Sequence, residues 1–291
     1  MELLRPHIKQ LFDFYLNSSI HVALAVSAFA AITMINLRLE IDLDLLFFIF
    51  FSTIIGYNIT KYTGSHQSPE AGTEPRQSIL IFSILSTLPL LYFIFTQPLS
   101  IIIISALMGL ITISYSWPFL WRRSNLRDIT SLKIFVIAFV WSVVTVILPV
   151  LPGALTFDIN LIIEFVQRFI FVLVLTLPFD IRDARFDTYQ LATIPQVIGI
   201  KRSRVFGVFL LSFIVLFEFL KTPLLIDQAL ILAGISILTA FFVMRSVVKQ
   251  TQYYASFWVE SIPIIWCGLL ILFWSEETWY VSYFHKINCF L

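Results

Sequence analysis

Three aspartates stand at a regular spacing in the sequence PFDIRDARFD. Asp180, Asp183 and Asp187 follow the pattern i, i+3, i+7, which on a helix places three carboxylates along one face. Carboxylates this close repel one another unless a cation or basic groups intervene. Hard oxygen ligands suit Mg²⁺, which commonly takes one or two carboxylates together with substrate phosphates. A solvated helix end whose acids pair with Arg182 and Arg185 explains the same spacing.

A second polar segment combines aromatic and basic side chains in the sequence YSWPFLWRR, which runs from Tyr115 to Arg123. Arg122 and Arg123 could clamp a phosphate through paired hydrogen bonds. The alternative is a membrane anchor, in which Trp117 and Trp121 lie at the interface and the arginines mark the cytoplasmic side. On this segment alone the anchor is the simpler interpretation.

Charged residues also occur inside long apolar stretches. Glu164 and Arg168 are four residues apart, and an unpaired arginine at the bilayer centre costs roughly 2.5–3.5 kcal/mol on insertion scales. We therefore predict that the two form an ion pair facing the other helices, with either a functional or a structural role. Glu218 and Lys221 are predicted to lie at the membrane interface, and Glu260 to face a cavity.

Membrane-spanning helices must position these groups. The 291-residue chain is 59% hydrophobic and 13% charged, whereas soluble domains carry about 25% charged residues. A helix needs about 20 mostly apolar residues to cross the hydrocarbon core, where its backbone groups are satisfied internally. The sequence predicts an all-α integral membrane protein, a single domain (1–291) with nine transmembrane helices at roughly 18–37, 43–62, 77–96, 98–117, 132–151, 159–179, 203–220, 226–244 and 257–274.

The lysines and arginines predict the orientation. If the N-terminus is cytoplasmic, three of the 19 (Arg38, Lys221 and Lys286) fall on the outer side and Arg168 lies within a span, which leaves 15 on the cytoplasmic side. This asymmetry is the usual sign of orientation in membrane proteins. It places the ends of the second, fourth and sixth predicted spans, with the polar segments that follow them, on the cytoplasmic side of the membrane.

The combined pattern resembles the UbiA superfamily of intramembrane prenyltransferases, which have nine transmembrane helices and cytoplasm-facing aspartate-rich motifs after helices 2 and 6. The stretch from Asp180 through Asp183 and Asp187 to the sequence TIPQVIG is similar to the family's second motif. The end of the fourth span is similar to the family's Tyr-Ser-x-Pro stretch with its following basic residues. The resemblance covers essentially the whole chain. It implies transfer of a prenyl chain from a diphosphate to an aromatic or other acceptor.

The family's first motif is only partly present. Asn58 matches its asparagine, but Ile59, Tyr62 and His66 stand where the three acids would be. Lys61 lies on the same end of span 2, and a lysine can bind phosphate as a point charge. It could contact an anionic head group with less metal or none. The alternative is a lysine that extends to the membrane interface.

The resemblance implies a specific site. Asp183 and Asp187 would be catalytic and, with Asp180, would hold Mg²⁺, although the loss of the first motif weakens that metal site. The residues predicted to bind the diphosphate are Asn58, Lys61, Tyr115, Arg122, Arg123 and Arg182.

The predicted function is that of a UbiA-like prenyltransferase in the cytoplasmic membrane, with its site facing the cytoplasm. Its partners would be an isoprenoid diphosphate, a lipophilic or aromatic acceptor and membrane lipid. A net charge of +1 gives no electrostatic case for nucleic acid. The alternative is a non-catalytic relative that binds isoprenoids or lipids. A transporter fits less well, because the polar residues lie on one side rather than at the bilayer midplane.

Overall fold

A computed structural model of the chain describes residues 4–63, 76–116, 132–153, 158–184 and 193–273, and all regular secondary structure within these ranges is helical. This confirms the all-α prediction. The α-helices are α1 (Leu4–Asn17), α2 (Ile20–Asn36), α3 (Leu43–Thr63), α4 (Arg76–Thr96), α5 (Leu99–Ser116), α6 (Leu132–Ser142), α7 (Leu148–Val150), α8 (Ile159–Asp183), α9 (Ile194–Ile198), α10 (Ile200–Glu218), α11 (Ile226–Arg245) and α12 (Ile262–Leu272). Two π-helical segments, Val143–Ile147 and Tyr254–Val259, extend α6 and precede α12.

The chain is a multi-pass membrane protein. In its described part, six helical stretches are long and apolar enough to cross a bilayer: Leu43–Tyr62, Gln77–Thr96, Ile134–Gly153, Ile159–Asp183, Ile226–Arg245 and Tyr254–Leu272. His7–Asn17 and Ile20–Asn36, which are bent by 52° to each other, make a seventh if they are taken together. The two other predicted spans coincide with α5 and α10, so nine crossings stays a prediction.

Helices α2 and α8 form the centre of the bundle. Helix α2 packs against α3 and α12, and α8 packs against α6 and α10. Phe29 of α2 and Phe171 of α8 are fully buried, and both rings contact Trp266 of α12, at centroid distances of 6.1 and 5.2 Å. In contrast, α4 turns many large apolar side chains outward, Ile84 and Leu88 among them. Such an apolar exterior is expected of a surface that faces lipid.

A glycine brings α10 close to its neighbours. A Cβ atom on Gly207 would lie 2.8 Å from Leu177 Cδ1 of α8 and 3.2 Å from Val243 Cγ1 of α11. Small residues allow this close approach of helix backbones in membranes, where packing replaces the hydrophobic effect as the driving force. The contact fixes α8 against α10 and α11.

Polar contacts identify which helix termini share one end of the bundle. Lys61, near the end of α3, reaches Asn17 at the end of α1, and His21, near the start of α2, reaches Phe257 before α12. Gln250, which follows α11, donates a hydrogen bond to the carbonyl of Pro178 near the end of α8. Tyr253 closes the set by bonding to Asp13 of α1. We call this end, defined by Asn17, Lys61, Pro178 and Tyr253, the motif end.

The opposite end is tied together in the same way. Asn160, at the start of α8, exchanges hydrogen bonds with the backbone of Thr222 after α10, at 2.7 and 3.0 Å. Asn36, the last residue of α2, donates to the carboxylate of Glu164 in α8. Alternating helix directions therefore bring the C-terminal ends of α3 and α8 to the motif end.

Candidate functional site

The last turn of α8 carries a paired acid and base. Arg182 Nε lies 2.8 Å from Asp183 Oδ1, and Arg182 Nη2 lies 3.1 Å from Asp183 Oδ2, so the guanidinium grips both carboxylate oxygens. Its Cζ atom also lies 5.3 Å from the centre of the Phe179 ring. Both charged side chains remain partly exposed at the motif end. The pairing of an acid with Arg182, which the sequence offered as an alternative to a metal site, occurs at Asp183.

Asp180 lies one turn earlier on the same face of α8 and is buried, with 3% of its surface exposed. The segment that begins at Thr193 contacts the end of α8. At the start of α9, the Gln196 side chain accepts a hydrogen bond from the Thr193 backbone N–H at 3.0 Å. The same side chain donates to the carbonyl of Ala184. The TIPQVIG sequence thus packs against the end of α8.

Asn58 is buried at the motif end, and its side-chain amide forms hydrogen bonds with other groups of the protein. Its Nδ2 atom donates to the Ser18 carbonyl at 3.1 Å and to Ser83 Oγ at 2.8 Å, while its Oδ1 atom accepts from Ser19 Oγ at 2.7 Å. These contacts join α3 to α4 and to the bend between α1 and α2. The geometry therefore makes Asn58 a residue that shapes the site.

Lys61 and Tyr62 both reach the end of α1. Lys61 Nζ lies 3.4 Å from the carbonyl and from the side-chain oxygen of Asn17, and Tyr62 OH donates to the same carbonyl at 3.1 Å. The lysine side chain is half-buried, and its ammonium also lies 5.5 Å from the centre of the Tyr62 ring. The single positive charge of this helix end therefore sits where α1 meets α3.

Four of the predicted site residues are not described in full. Asp187, Arg122 and Arg123 lie outside the described residues. The backbone of Tyr115 belongs to α5, but its side chain is also outside the described part.

The described carboxylates predicted to bind Mg²⁺ come from one side of the site, the end of α8. Within the described ranges, no group of three or more His, Cys, Asp or Glu residues could hold a metal ion. Asp180 and Asp183 come from a single helix, and both oxygens of Asp183 accept from Arg182. Mg²⁺ usually binds through one or two carboxylates plus substrate phosphates and water. Asp180 and Asp183 fit an ion that arrives with a diphosphate, and they do not form a complete protein cage.

At the opposite end, four charged side chains form one buried network. Glu164 accepts hydrogen bonds from Arg168 at 3.2 Å and from Lys221 at 2.8 Å, and Lys221 also pairs with Glu218 at 2.8 Å. Gln167 adds a bond to Glu218 at 2.9 Å. The predicted Glu164–Arg168 pair is confirmed and faces the bundle. The Glu218–Lys221 pair, expected at the membrane interface, is buried against it.

The sequence interpretation did not include a polar cluster around the bend between α1 and α2. His21, 3% exposed, lies between the Tyr15 hydroxyl at 2.7 Å and the Phe257 carbonyl at 3.1 Å. Nearby, the hydroxyl of Tyr253 donates to Asp13 at 2.6 Å, and this hydrogen bond to a carboxylate raises the pKa of Tyr253 to about 12. A histidine at the start of an apolar run was the available sequence signal.

Two solved structures resemble the chain over most of its length. A UbiA homolog from Aeropyrum pernix K1, in its apo form, matches 87% of this chain and 98% of its own with a TM-score of 0.63 at 12% identity. The structure of a digeranylgeranylglyceryl phosphate synthase matches 91% of this chain and 96% of its own with a TM-score of 0.51 at 17% identity. No protein-family model and no curated protein matches the sequence. The predicted resemblance to the UbiA superfamily is thus confirmed in the fold.

Proposed function

We propose that the chain is a membrane prenyltransferase that transfers a prenyl group from an isoprenoid diphosphate to a lipophilic or aromatic acceptor. The observation that carries this proposal is the motif end of a UbiA-like bundle. There the Asp180–Asp183 face of α8, with Arg182, shares one end with Asn58 and Lys61 of α3. The charge asymmetry of the sequence supports nine spans, with this end facing the cytoplasm.

Each described group has a role in this reaction. Ionisation of an allylic diphosphate requires that positive charge neutralise the leaving group. Lys61 supplies an ammonium on one side, and Arg182, held by Asp183, supplies a planar guanidinium suited to phosphate oxygens. Asn58 holds the end of α3 against the α1–α2 bend and so fixes the position of Lys61. The apolar interior between the helices takes the prenyl chain.

The predicted Mg²⁺ belongs to this proposal. Asp180 and Asp183, together with Asp187 from outside the described residues, would bind the ion on one side, and diphosphate oxygens would complete its coordination. The ion would neutralise charge on the departing diphosphate. Lys61 and Arg182 would bind the phosphate oxygens that the metal leaves free.

Farnesyl diphosphate binding to the purified protein in detergent tests the proposal. We expect wild type to bind with MgCl₂ present and Asp183→Asn to bind at least about tenfold more weakly, a loss of about 1.4 kcal/mol. Asp227→Asn is the matched control, because Asp227 is an exposed acid on the first turn of α11, at the opposite end.

Two outcomes decide against this site. No binding by wild type would contradict a diphosphate-dependent enzyme. Binding to wild type without any transfer to lipid extracts would favour the non-catalytic isoprenoid-binding relative.

A further inference from the structure

Tyr15 and His21 form a hydrogen-bonded pair across the bend that joins α1 to α2. The Tyr15 hydroxyl lies 2.7 Å from His21 Nδ1. On the other side of the ring, His21 Nε2 lies 3.1 Å from the Phe257 carbonyl and 3.2 Å from Ser261 Oγ. The imidazole is buried and stacks on the Phe257 ring with centroids 5.0 Å apart.

These partners determine where the protons lie. A carbonyl oxygen only accepts hydrogen bonds, so His21 Nε2 carries the hydrogen that points to Phe257. Ser261 Oγ donates to the same carbonyl at 2.6 Å and can therefore accept from Nε2. Nδ1 keeps a lone pair, to which Tyr15 donates its proton. His21 is therefore a neutral imidazole whose basic nitrogen, Nδ1, accepts a hydrogen bond from the Tyr15 phenol.

The pair lies beside the candidate diphosphate site. Asn17, two residues after Tyr15, accepts hydrogen bonds from Lys61, and the carbonyl of Ser18 accepts one from Asn58. Tyr57 directly precedes Asn58 on α3, and its hydroxyl accepts a hydrogen bond from Trp141 Nε1 at 2.9 Å. The π-helical segment Tyr254–Val259 ends immediately before Glu260. Such segments are frequent at functional sites.

We infer that Tyr15, backed by His21, accepts the proton that the prenyl acceptor must lose, and that the acceptor reacts through a hydroxyl group. This inference rests on the proposed transferase function. Tyr15 is half-buried whereas His21 is buried, so the acceptor would meet the phenol rather than the imidazole. His21 acts through Tyr15, and Ser261 and the Phe257 carbonyl position His21.

The proposed step balances as follows. The acceptor oxygen bonds to the allylic carbon, whose bond to the diphosphate breaks with the electron pair leaving on the diphosphate. The acceptor proton passes to the Tyr15 oxygen while the Tyr15 proton passes to His21 Nδ1. Loss of the Nδ1 proton of this imidazolium to water restores the pair. Asp13, the acidic residue of α1, is bonded to Tyr253.

A lipophilic phenol with a visible ionisation, 4-hexyl-2-nitrophenol, probes the pair directly. We expect the full-length protein in detergent to lower the probe's pKa by about one unit, tenfold in its ionisation constant, relative to empty micelles. Tyr15→Phe and His21→Gln should remove this shift, because glutamine still donates to Phe257 but has no basic nitrogen. Tyr253→Phe removes a nearby phenol bonded to Asp13 and should leave the shift intact.

Nitrogen-15 NMR of the histidines in wild type makes the test independent of variant folding. We expect one imidazole in the Nε2–H form that becomes an imidazolium when the probe binds. A probe that does not bind, or binds with an unchanged pKa and a neutral His21, overturns the inference. Farnesyl diphosphate binding in the same samples separates the two proposals. If the diphosphate binds but the probe does not ionise, only the role of Tyr15 as proton acceptor is contradicted. If the diphosphate does not bind, the transferase function itself is contradicted.

Discussion

The guanidinium of Arg168 and the carboxylate of Glu164 lie one helical turn apart on α8 and form a 3.2 Å ion pair whose side chains are 1% and 3% exposed. Arg168 also donates to the Phe29 carbonyl at 2.9 Å, and its Cζ atom lies 4.2 Å from the centre of the Phe29 ring. Lys221 adds a second cation and Glu218 a second anion, so the network is electrically balanced. It joins α2, α8 and α10 at the end opposite the candidate site.

Removing Arg168 should destabilise the protein strongly. Arg168→Met leaves the two buried carboxylates with one cation, and breaking a buried pair costs about 3–5 kcal/mol. Thermal unfolding in detergent measures the loss. Lys9→Met, which removes an exposed cation of α1, is the control and should change little. An unfolding temperature for Arg168→Met equal to that of the control would show that the network is not a structural lock.

The Lys221–Glu218 pair should show strong coupling. Each of Lys221→Met and Glu218→Gln alone unbalances the network, whereas the double variant removes one charge of each sign. We expect the double variant to be more stable than the sum of the single losses predicts, by about 0.5–3 kcal/mol. A double-mutant cycle on the free energy of unfolding measures this coupling. Additive losses would mean that the two residues act independently.

Asn58 should matter more for stability than for contact with substrate. Asn58→Ala leaves the buried Ser18 carbonyl without its donor, and an unsatisfied buried group costs about 1–3 kcal/mol. We expect a lower unfolding temperature, with farnesyl diphosphate affinity reduced less than in Asp183→Asn. Asn160→Ala, which removes an exposed bond at the opposite end, is the control. A large loss of affinity with normal stability would make Asn58 a substrate ligand.

Lys61 should bear more of the diphosphate charge than Asp187 does. Mg²⁺ dehydrates reluctantly and prefers octahedral geometry, so a one-sided carboxylate site should bind it weakly without diphosphate. We expect Lys61→Ala to weaken diphosphate binding more than Asp187→Asn, and wild-type binding to survive EDTA in part. Titrations of farnesyl diphosphate with and without Mg²⁺ measure both effects.

Tyr62→Phe is the matched control for Lys61. It removes the other hydrogen bond to the Asn17 carbonyl and retains the lysine charge. If Lys61→Ala binds like wild type while Asp187→Asn abolishes binding, the lysine is only an anchor of α3.

Tyr253 should ionise late in a pH titration. Its hydrogen bond to Asp13 raises the pKa to about 12 from an ordinary value near 10. Any stability from this bond is therefore present below pH of about 10 and is lost as the pH rises through about 12. The ultraviolet difference spectrum between wild type and Tyr253→Phe isolates this titration. Asp13→Asn should bring it to lower pH, and an unchanged midpoint would contradict the assigned cause.

The sequence was sufficient for the long apolar helices and for the buried pair, but not for α1 or α9. Long apolar runs in lipid can satisfy their backbone only as helices, so each predicted span coincides with a helical segment. Because burial of an unpaired Arg168 is so costly, a partner one turn away was predictable. The bend at Ser18–Ser19, which separates α1 from α2, was not predicted, because it depends on bonds from Asn58 that are distant in sequence.

The candidate site also combines features that the sequence determined with features that only the fold determined. Residue types and spacing alone determined that acids gather after one span and a lysine replaces acids after another. Only the tertiary structure decided that Arg182 pairs with Asp183, that Asn58 forms hydrogen bonds with serines, and that Tyr15 donates to His21. Local spacing fixes which side chains share a helix face. The partner each polar group finds depends on which helix ends meet, and packing between distant segments determines that.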